Sequence, residues 1–364
     1  MKAESAIEPL KKGMETNERF SLIALSHVEF LRPREKLLLI EALGGAAGLF
    51  ELSLAEIAGL VGRRLTTGLW KPDEILRSAA TTEDCLTASG VRSIFYWDSS
   101  YPPQLREIYD PPVTLYLRGT LPDSGLPLAG IVGTRFPTGG ARTAAFRLGF
   151  ELGTERVGVV SGLARGVDRE AHEGSVTAGG YSIAVLGNGI DLVYPESSRA
   201  VAMTILERGG AIVSEYPPGI PPLKYHFPAR NRIISGLSRA VVVVQAPERS
   251  GALITAEYAL DQGRDLYVHA AGLAGSTGAG TRRLADCGAP VIRGSDDILR
   301  DWGMAPGKCA EYRAGTRSAD SAPGRKQTHA FPHGMAEGER LALMLKEEIN
   351  GACAVKGGEP FWRT

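Results

Sequence analysis

Six short apolar runs between residues 121 and 302 limit this chain more than any other feature. They are LAGIVG (128–133), VGVVSG (157–162), SIAVLG (182–187), GAIVSE (210–215), AVVVVQ (240–245) and RDLYVHA (264–270). The runs are continuously apolar rather than alternating, as expected of strands covered on both faces. Amphipathic stretches separate most of them. Strand and helix signals in alternation predict βαβ units on a mostly parallel sheet. Such a sheet binds ligands beyond the carboxyl ends of its strands.

The residues just beyond each strand are therefore informative. After the first comes Gly133-Thr134-Arg135; after the second, the loop Ser161-Gly162-Leu163-Ala164-Arg165-Gly166-Val167-Asp168. The third leads into Gly187-Asn188-Gly189-Ile190-Asp191 and the fourth into Ser214-Glu215-Tyr216-Pro217-Pro218-Gly219. After the fifth come Ala246-Pro247-Glu248-Arg249-Ser250-Gly251. Glycine lets a backbone approach a phosphate, helix N-termini offer free N–H groups, and the arginine fork grips phosphate at two points. A single glycine at a strand-to-helix turn has an ordinary steric explanation. Five such loops on one rim point to binding, with Gly133, Thr134, Arg135, Ser161, Gly162, Arg165, Gly166, Ser250 and Gly251 as candidate contacts.

The dinucleotide fingerprint is missing. The first strand leads into GTRFPTGG rather than GxGxxG, and the partial match GNGIDL lies after the third strand, which disfavours an NAD enzyme. No Walker A loop, GxSxG elbow or HExxH motif occurs. Asp168 and His172 stand four apart on an expected helix, where a capping Asp and a buried His account for them. An enzyme reading would draw on Glu215, Asp191 or Glu257.

The stretch YHFPARNRIISG (225–236) precedes the four-valine strand. Pro221 and Pro222 keep the chain out of helix, and Pro228 suits the first turn of one. This places Lys224, Phe227 and Arg230 near the rim. A phenyl ring there can stack on a base while a neighbouring cation holds the adjacent phosphate. The competing reading makes Phe227 a hydrophobic staple and Arg232 a structural ion-pair partner.

Charge sharpens the question. The 364-residue chain has a formal net charge of zero, so there is no global field for nucleic acid or membrane. Residues 121–302 hold 17 arginines and one lysine, Lys224, against 18 acids. Any polyanion site must come from clustering. Cys85, Cys287, Cys309 and Cys353 form no CxxC pair, so neither a zinc site nor a disulfide framework is expected. No apolar run reaches the length of a signal core or membrane span, and the expected location is cytoplasmic.

Around this unit, residues 1–15 read as a loose tail and 16–90 as a small helical domain, from FSLIALSHVEFL, REKLLLIEAL and LAEIAGLVG. Residues 91–120 read as a packed connector with VTLYL (113–117) as a strand. Residues 303–335 read as a linker, and 336–364 as a helical remnant without a recognisable wing, with a degenerate winged helix as the alternative.

The runs SGLARGVDREAH, GGYSIAVLGNGIDLVYPE, GGAIVSEYPPG and HFPARNRIISGLSRAVVVVQAPERSGALITAEYALDQGRDLYVH together resemble the DNA-processing protein A family, also called DprA or Smf. The resemblance covers roughly residues 95–302. It implies an extended Rossmann-like fold with helices on both faces of the sheet, preceded by a sterile-alpha-motif-like (SAM-like) domain. It further implies a homodimer that binds single-stranded DNA on the sheet rim without a cofactor. Such proteins load the RecA recombinase during natural transformation and help displace single-strand binding protein. The family's pocket residues fall on Arg135, Lys224 and Phe227. Two departures stand out: Gln245 where the family usually has glutamate, and the glycine-rich segment 268–289. The alternatives are a nucleotide-binding or nucleotide-hydrolysing Rossmann-like enzyme and an interaction adaptor.

Overall fold

The structure, a computed structural model, describes residues 16–66, 68, 70–122, 125–305, 353–356 and 359–362. Among the described residues, four α-helices precede the sheet: α1 (Thr16–Ser26), α2 (Pro33–Leu43), α3 (Leu54–Val61) and α4 (Pro72–Ser89). Local sequence sets their limits. Pro33 opens α2, where a missing N–H costs nothing, and Gly44 ends it in the left-handed region at φ 71°. Ser53 caps α3 in a reciprocal box with Glu56. Leu22, Leu25, Leu39, Ile40 and Ile57 form a core continuous with Phe95, Tyr116 and Ile212 of the sheet. The hydroxyls of Ser26 and Tyr116 share a 2.7 Å hydrogen bond, and Thr114 donates to the Leu22 carbonyl. The bundle is thus packed on the sheet edge rather than tethered to it.

The sheet has nine strands: β1 (Arg92–Phe95), β2 (Thr114–Gly119), β3 (Leu128–Val132), β4 (Gly158–Ser161), β5 (Ser182–Leu186), β6 (Ala211–Ser214), β7 (Ala240–Val243), β8 (Asp265–His269) and β9 (Val291–Ile292). Their order is β1-β2-β6-β5-β4-β3-β7-β8-β9. All six apolar runs are strands and lie parallel. The VTLYL segment is in β2, which runs antiparallel to β6 and carries β1 on its outer side.

The helices between and beyond are α5 (Pro103–Arg106), α6 (Gly139–Thr154), α7 (Val167–Thr177), α8 (Arg199–Glu207), α9 (His226–Leu237), α10 (Gly251–Asp261), α11 (Ala279–Asp286) and α12 (Ser295–Asp301). Val241 and Val243 face one core with Ile233, Ile234 and Leu253. Val242 and Val244 face the other with Ala145, Leu148 and Trp302. A strand buried on both faces must be apolar at every position, which accounts for the unbroken valine run. The fold is Rossmann-like and mostly parallel, with helices on both faces.

Strand order reverses between β3 and β7. Helix α9 carries the chain across this point, from β6 on one side of β3 to β7 on the other. Ligand crevices of open α/β sheets form at such a reversal. Near the C-terminus, Cys353–Lys356 and Glu359–Trp362 pair as an antiparallel hairpin, β10–β11, where the sequence signalled no strand. The expected tail 1–15, the linker beyond residue 305 and the helix expected within 336–352 lie outside the described residues.

Candidate nucleic-acid interface

Two loops meet at the reversal. The Thr134 amide donates to the Gln245 carbonyl at 2.7 Å, joining the ends of β3 and β7. The Val167 amide donates to the Thr134 carbonyl, bringing in the start of α7. Gly166 sits at φ 80°, and a Cβ there would lie 2.5 Å from the Thr134 carbonyl oxygen. Only glycine satisfies both the backbone conformation and the close approach. Gly133 is half-buried against Val167 and Gln245. Fully buried Gln245 accepts from the Thr138 amide at 2.9 Å and donates to the Thr138 hydroxyl, fixing the start of α6. It therefore acts as a brace for the Arg135 loop.

The exposed Arg135 guanidinium lies 5.6 Å from the centroid of the Phe227 ring. Phe227 is half-buried at the N-terminus of α9, and its ring edge lies against Gly187. A Cβ on Gly187 would approach the ring to 2.9 Å, so the loop after β5 is shaped to receive the phenyl group. Tyr194, also exposed, has its ring 5.8 Å from that of Phe227. Lys224, three residues before Phe227, and Arg165, at the tip of the loop after β4, are exposed. Among the described residues, no ion pair engages Arg135, Arg165 or Lys224. By contrast Arg147, Arg169, Arg199 and Arg300 each pair with an acid three or four residues away. The neutral total conceals neutralised helix faces and free cations on the rim.

Three expected contacts lie too deep to reach a ligand. Arg230 is only 4% exposed. It projects inward behind Gly162, donates to the Val185 carbonyl and faces the buried Asp168 carboxylate. Burial is the largest influence on both groups. It lowers the guanidinium to about 10 and raises the carboxyl, while each charge opposes the shift of the other. Ser161 is fully buried and donates its hydroxyl to the Ile131 carbonyl. The Gly162 amide donates to Asp168 at 3.1 Å and is not free for phosphate. Phe227 and Arg230 share one face of α9, which is turned toward the sheet; Phe227 stays half-exposed because it stands in the first turn, whereas Arg230 lies one turn further in and is covered. Only Arg165 and half-buried Gly166 and Ala164 remain on the surface of that loop.

Ser250 and Gly251 lie on the β7 side of the reversal. Ser250 caps α10 through Ala252, and the Gly251 carbonyl accepts from Asn231 of α9. Arg232 makes a two-point ion pair with Glu215 at 2.8 Å and also donates to the Asp110 carbonyl. This is the structural role weighed for it. Glu215 is thereby engaged, and Asp191 accepts from the Gly219 amide. His172 is fully buried with Nδ1 2.7 Å from the Ser182 hydroxyl, and burial lowers its pKa to about 3. Asp168 does not cap α7, whose N-cap is Gly166; it holds the preceding loop. Sequence reasoning missed Phe136 and Tyr194, both exposed aromatics at this rim.

The chain matches the profile of the family described as DNA recombination-mediator protein A over residues 92–303. It is 38% identical to DNA processing protein DprA of Streptococcus pneumoniae across 56% of this chain and 72% of that protein. It is 40% identical to protein Smf of Escherichia coli, spanning 55% of this chain and only about half, 54%, of that relative. Protein Smf of Borreliella burgdorferi is 33% identical across 76% of this chain and 86% of its own length. The crystal structure of the S. pneumoniae protein superposes with a TM-score of 0.63 at 32% identity, covering 79% of this chain and 98% of that one. The DNA processing protein A of Helicobacter pylori superposes at 0.52 with 28% identity, covering 58% of this chain and 95% of its own. Fold, strand-end loops and sequence agree: the chain belongs to the DNA recombination-mediator protein A (DprA/Smf) family.

Proposed function

We propose that this protein binds single-stranded DNA along the rim of its sheet and acts there as a recombination mediator. The observation that carries this reading is the Arg135 guanidinium set on the half-exposed Phe227 ring, with free Lys224 and Arg165 on the same rim loops. An aromatic face accepts any base, and flanking cations hold the phosphates. The geometry suits a flexible strand whose bases can be splayed onto the ring. A single-stranded DNA binding mode is described for the H. pylori relative.

Loading of RecA onto the bound strand, displacement of single-strand binding protein, a homodimeric state and a role in natural transformation in the cytoplasm belong to this proposal on the strength of the family description. No cofactor is invoked. The test is a titration with fluorescent oligo-dT and with duplex of the same length. The expected result is tighter binding of the single strand, falling steeply as salt rises. Equal affinity for both, insensitive to salt, overturns the reading.

A further inference from the structure

We infer that Phe136 is a second base-stacking surface, beside the one formed by Phe227. The inference rests on the single-strand reading above and extends it. Among the large apolar side chains of the described residues, Phe136 is the most exposed, at 78%. A lone exposed phenylalanine would need no explanation. This one follows directly in sequence on Arg135, whose guanidinium lies over the Phe227 ring, so an exposed phenyl group and a cation stand side by side on one loop. The exposed Tyr194 ring, 5.8 Å from that of Phe227, adds to the aromatic surface.

The backbone under Phe136 is held still. Its amide donates to the Thr134 hydroxyl at 3.2 Å, and Thr134 is itself tied to Gln245 and Val167. Pro137 comes next, which biases residue 136 away from helical backbone and narrows its conformational range. A ring held out on a stiff loop loses little freedom when a base covers it, which favours association. The occupant argued for is a base of the same single strand, one or two nucleotides from the one on Phe227. Arg135 would hold a phosphate between them. Alternating aromatic faces and cations is the pattern by which single strands are gripped regardless of sequence.

The test uses the full chain with fluorescent oligo-dT. Phe136→Ala is expected to weaken binding about 5- to 20-fold, within the range for loss of one stacking contact, and Phe136→Trp to restore it. The Phe136→Trp protein is expected to show stronger fluorescence quenching at saturating oligo-dT than wild type. An unchanged affinity for Phe136→Ala, together with no additional quenching in Phe136→Trp, overturns the inference while leaving Phe227 and the single-strand reading intact. Failure of the wild-type protein to bind oligo-dT overturns both. Thermal melts of both variants identify a folding defect, and the position is exposed enough that none is expected.

Discussion

The Arg135 guanidinium and the Phe227 ring face each other at 5.6 Å although 92 positions separate them in the chain. One comes from the end of β3 and the other from the start of α9. They meet because α9 passes over the strand reversal. The pairing orients the ring and keeps a charge beside its face. Phe227→Ala is expected to cost about 1–3 kcal/mol of oligo-dT binding, whereas Phe227→Trp keeps most of it. Fluorescence anisotropy checks this. Equal binding by the Ala variant would show that the ring serves as a hydrophobic staple.

Arg230 makes a different prediction from its neighbours. It is buried against Asp168 and carries the Val185 carbonyl. Removing one partner leaves a buried charge behind. Arg230→Met is therefore expected to destabilise the fold by about 3–5 kcal/mol, and Asp168→Asn to weaken it in the same direction. Denaturant melts measure both. A marginal change for Arg230→Met, accompanied by lost DNA binding, would mean that Arg230 swings out to contact the strand.

Buried histidines give the stability a pH dependence. Burial lowers His172 to about 3 and His27 to about 4. A folded-state value below the ordinary one means that protonation favours the unfolded chain. The stability that these neutral rings permit is present above about pH 6.5 and is lost as pH falls toward the folded values. The melting temperature is expected to drop between pH 7.5 and pH 5, and His172→Leu to flatten that drop. A profile equally steep in the variant would rule His172 out as a contributor.

Glu215 separates a DNA-binding protein from a nucleotide-processing one. Its carboxylate is held at two points by Arg232. Glu215→Ala leaves that buried guanidinium unpaired, so a loss of about 3–5 kcal/mol of stability is expected. Incubating wild type with nucleoside monophosphates is expected to give no product by chromatography. Turnover that vanishes in Glu215→Gln, with an unchanged melting temperature, would restore the enzyme reading.

The sheet was legible because doubly covered strands leave a plain signal: each of the six apolar runs became a strand. β1 was missed because Arg92-Ser93-Ile94-Phe95 sits at the sheet edge with only half its residues buried. The β10–β11 hairpin was missed although Gly357-Gly358 separates its strands, since Pro360 argues against a strand. At the site, residue type alone predicted that glycine loops and arginines gather at one rim. It did not predict which way each arginine turns. Arg135 points outward from a loop, while Arg230 points inward because helix phase places it against the sheet. Phe136 and Tyr194 escaped notice because a single aromatic in a loop carries no periodic signal.

The proposed single-strand site rests most on Arg135 beside the half-exposed Phe227 ring and on exposed Lys224 three residues before that ring. A titration of wild type beside Arg135→Glu and Lys224→Glu tests this directly, at several salt concentrations. Each reversal is expected to lower oligo-dT affinity about 10- to 100-fold at low salt and to reduce the salt slope by about 0.7 or more. Isotherms that overlay the wild type at every salt concentration, from variants with normal melting temperatures, would place the DNA elsewhere on the molecule.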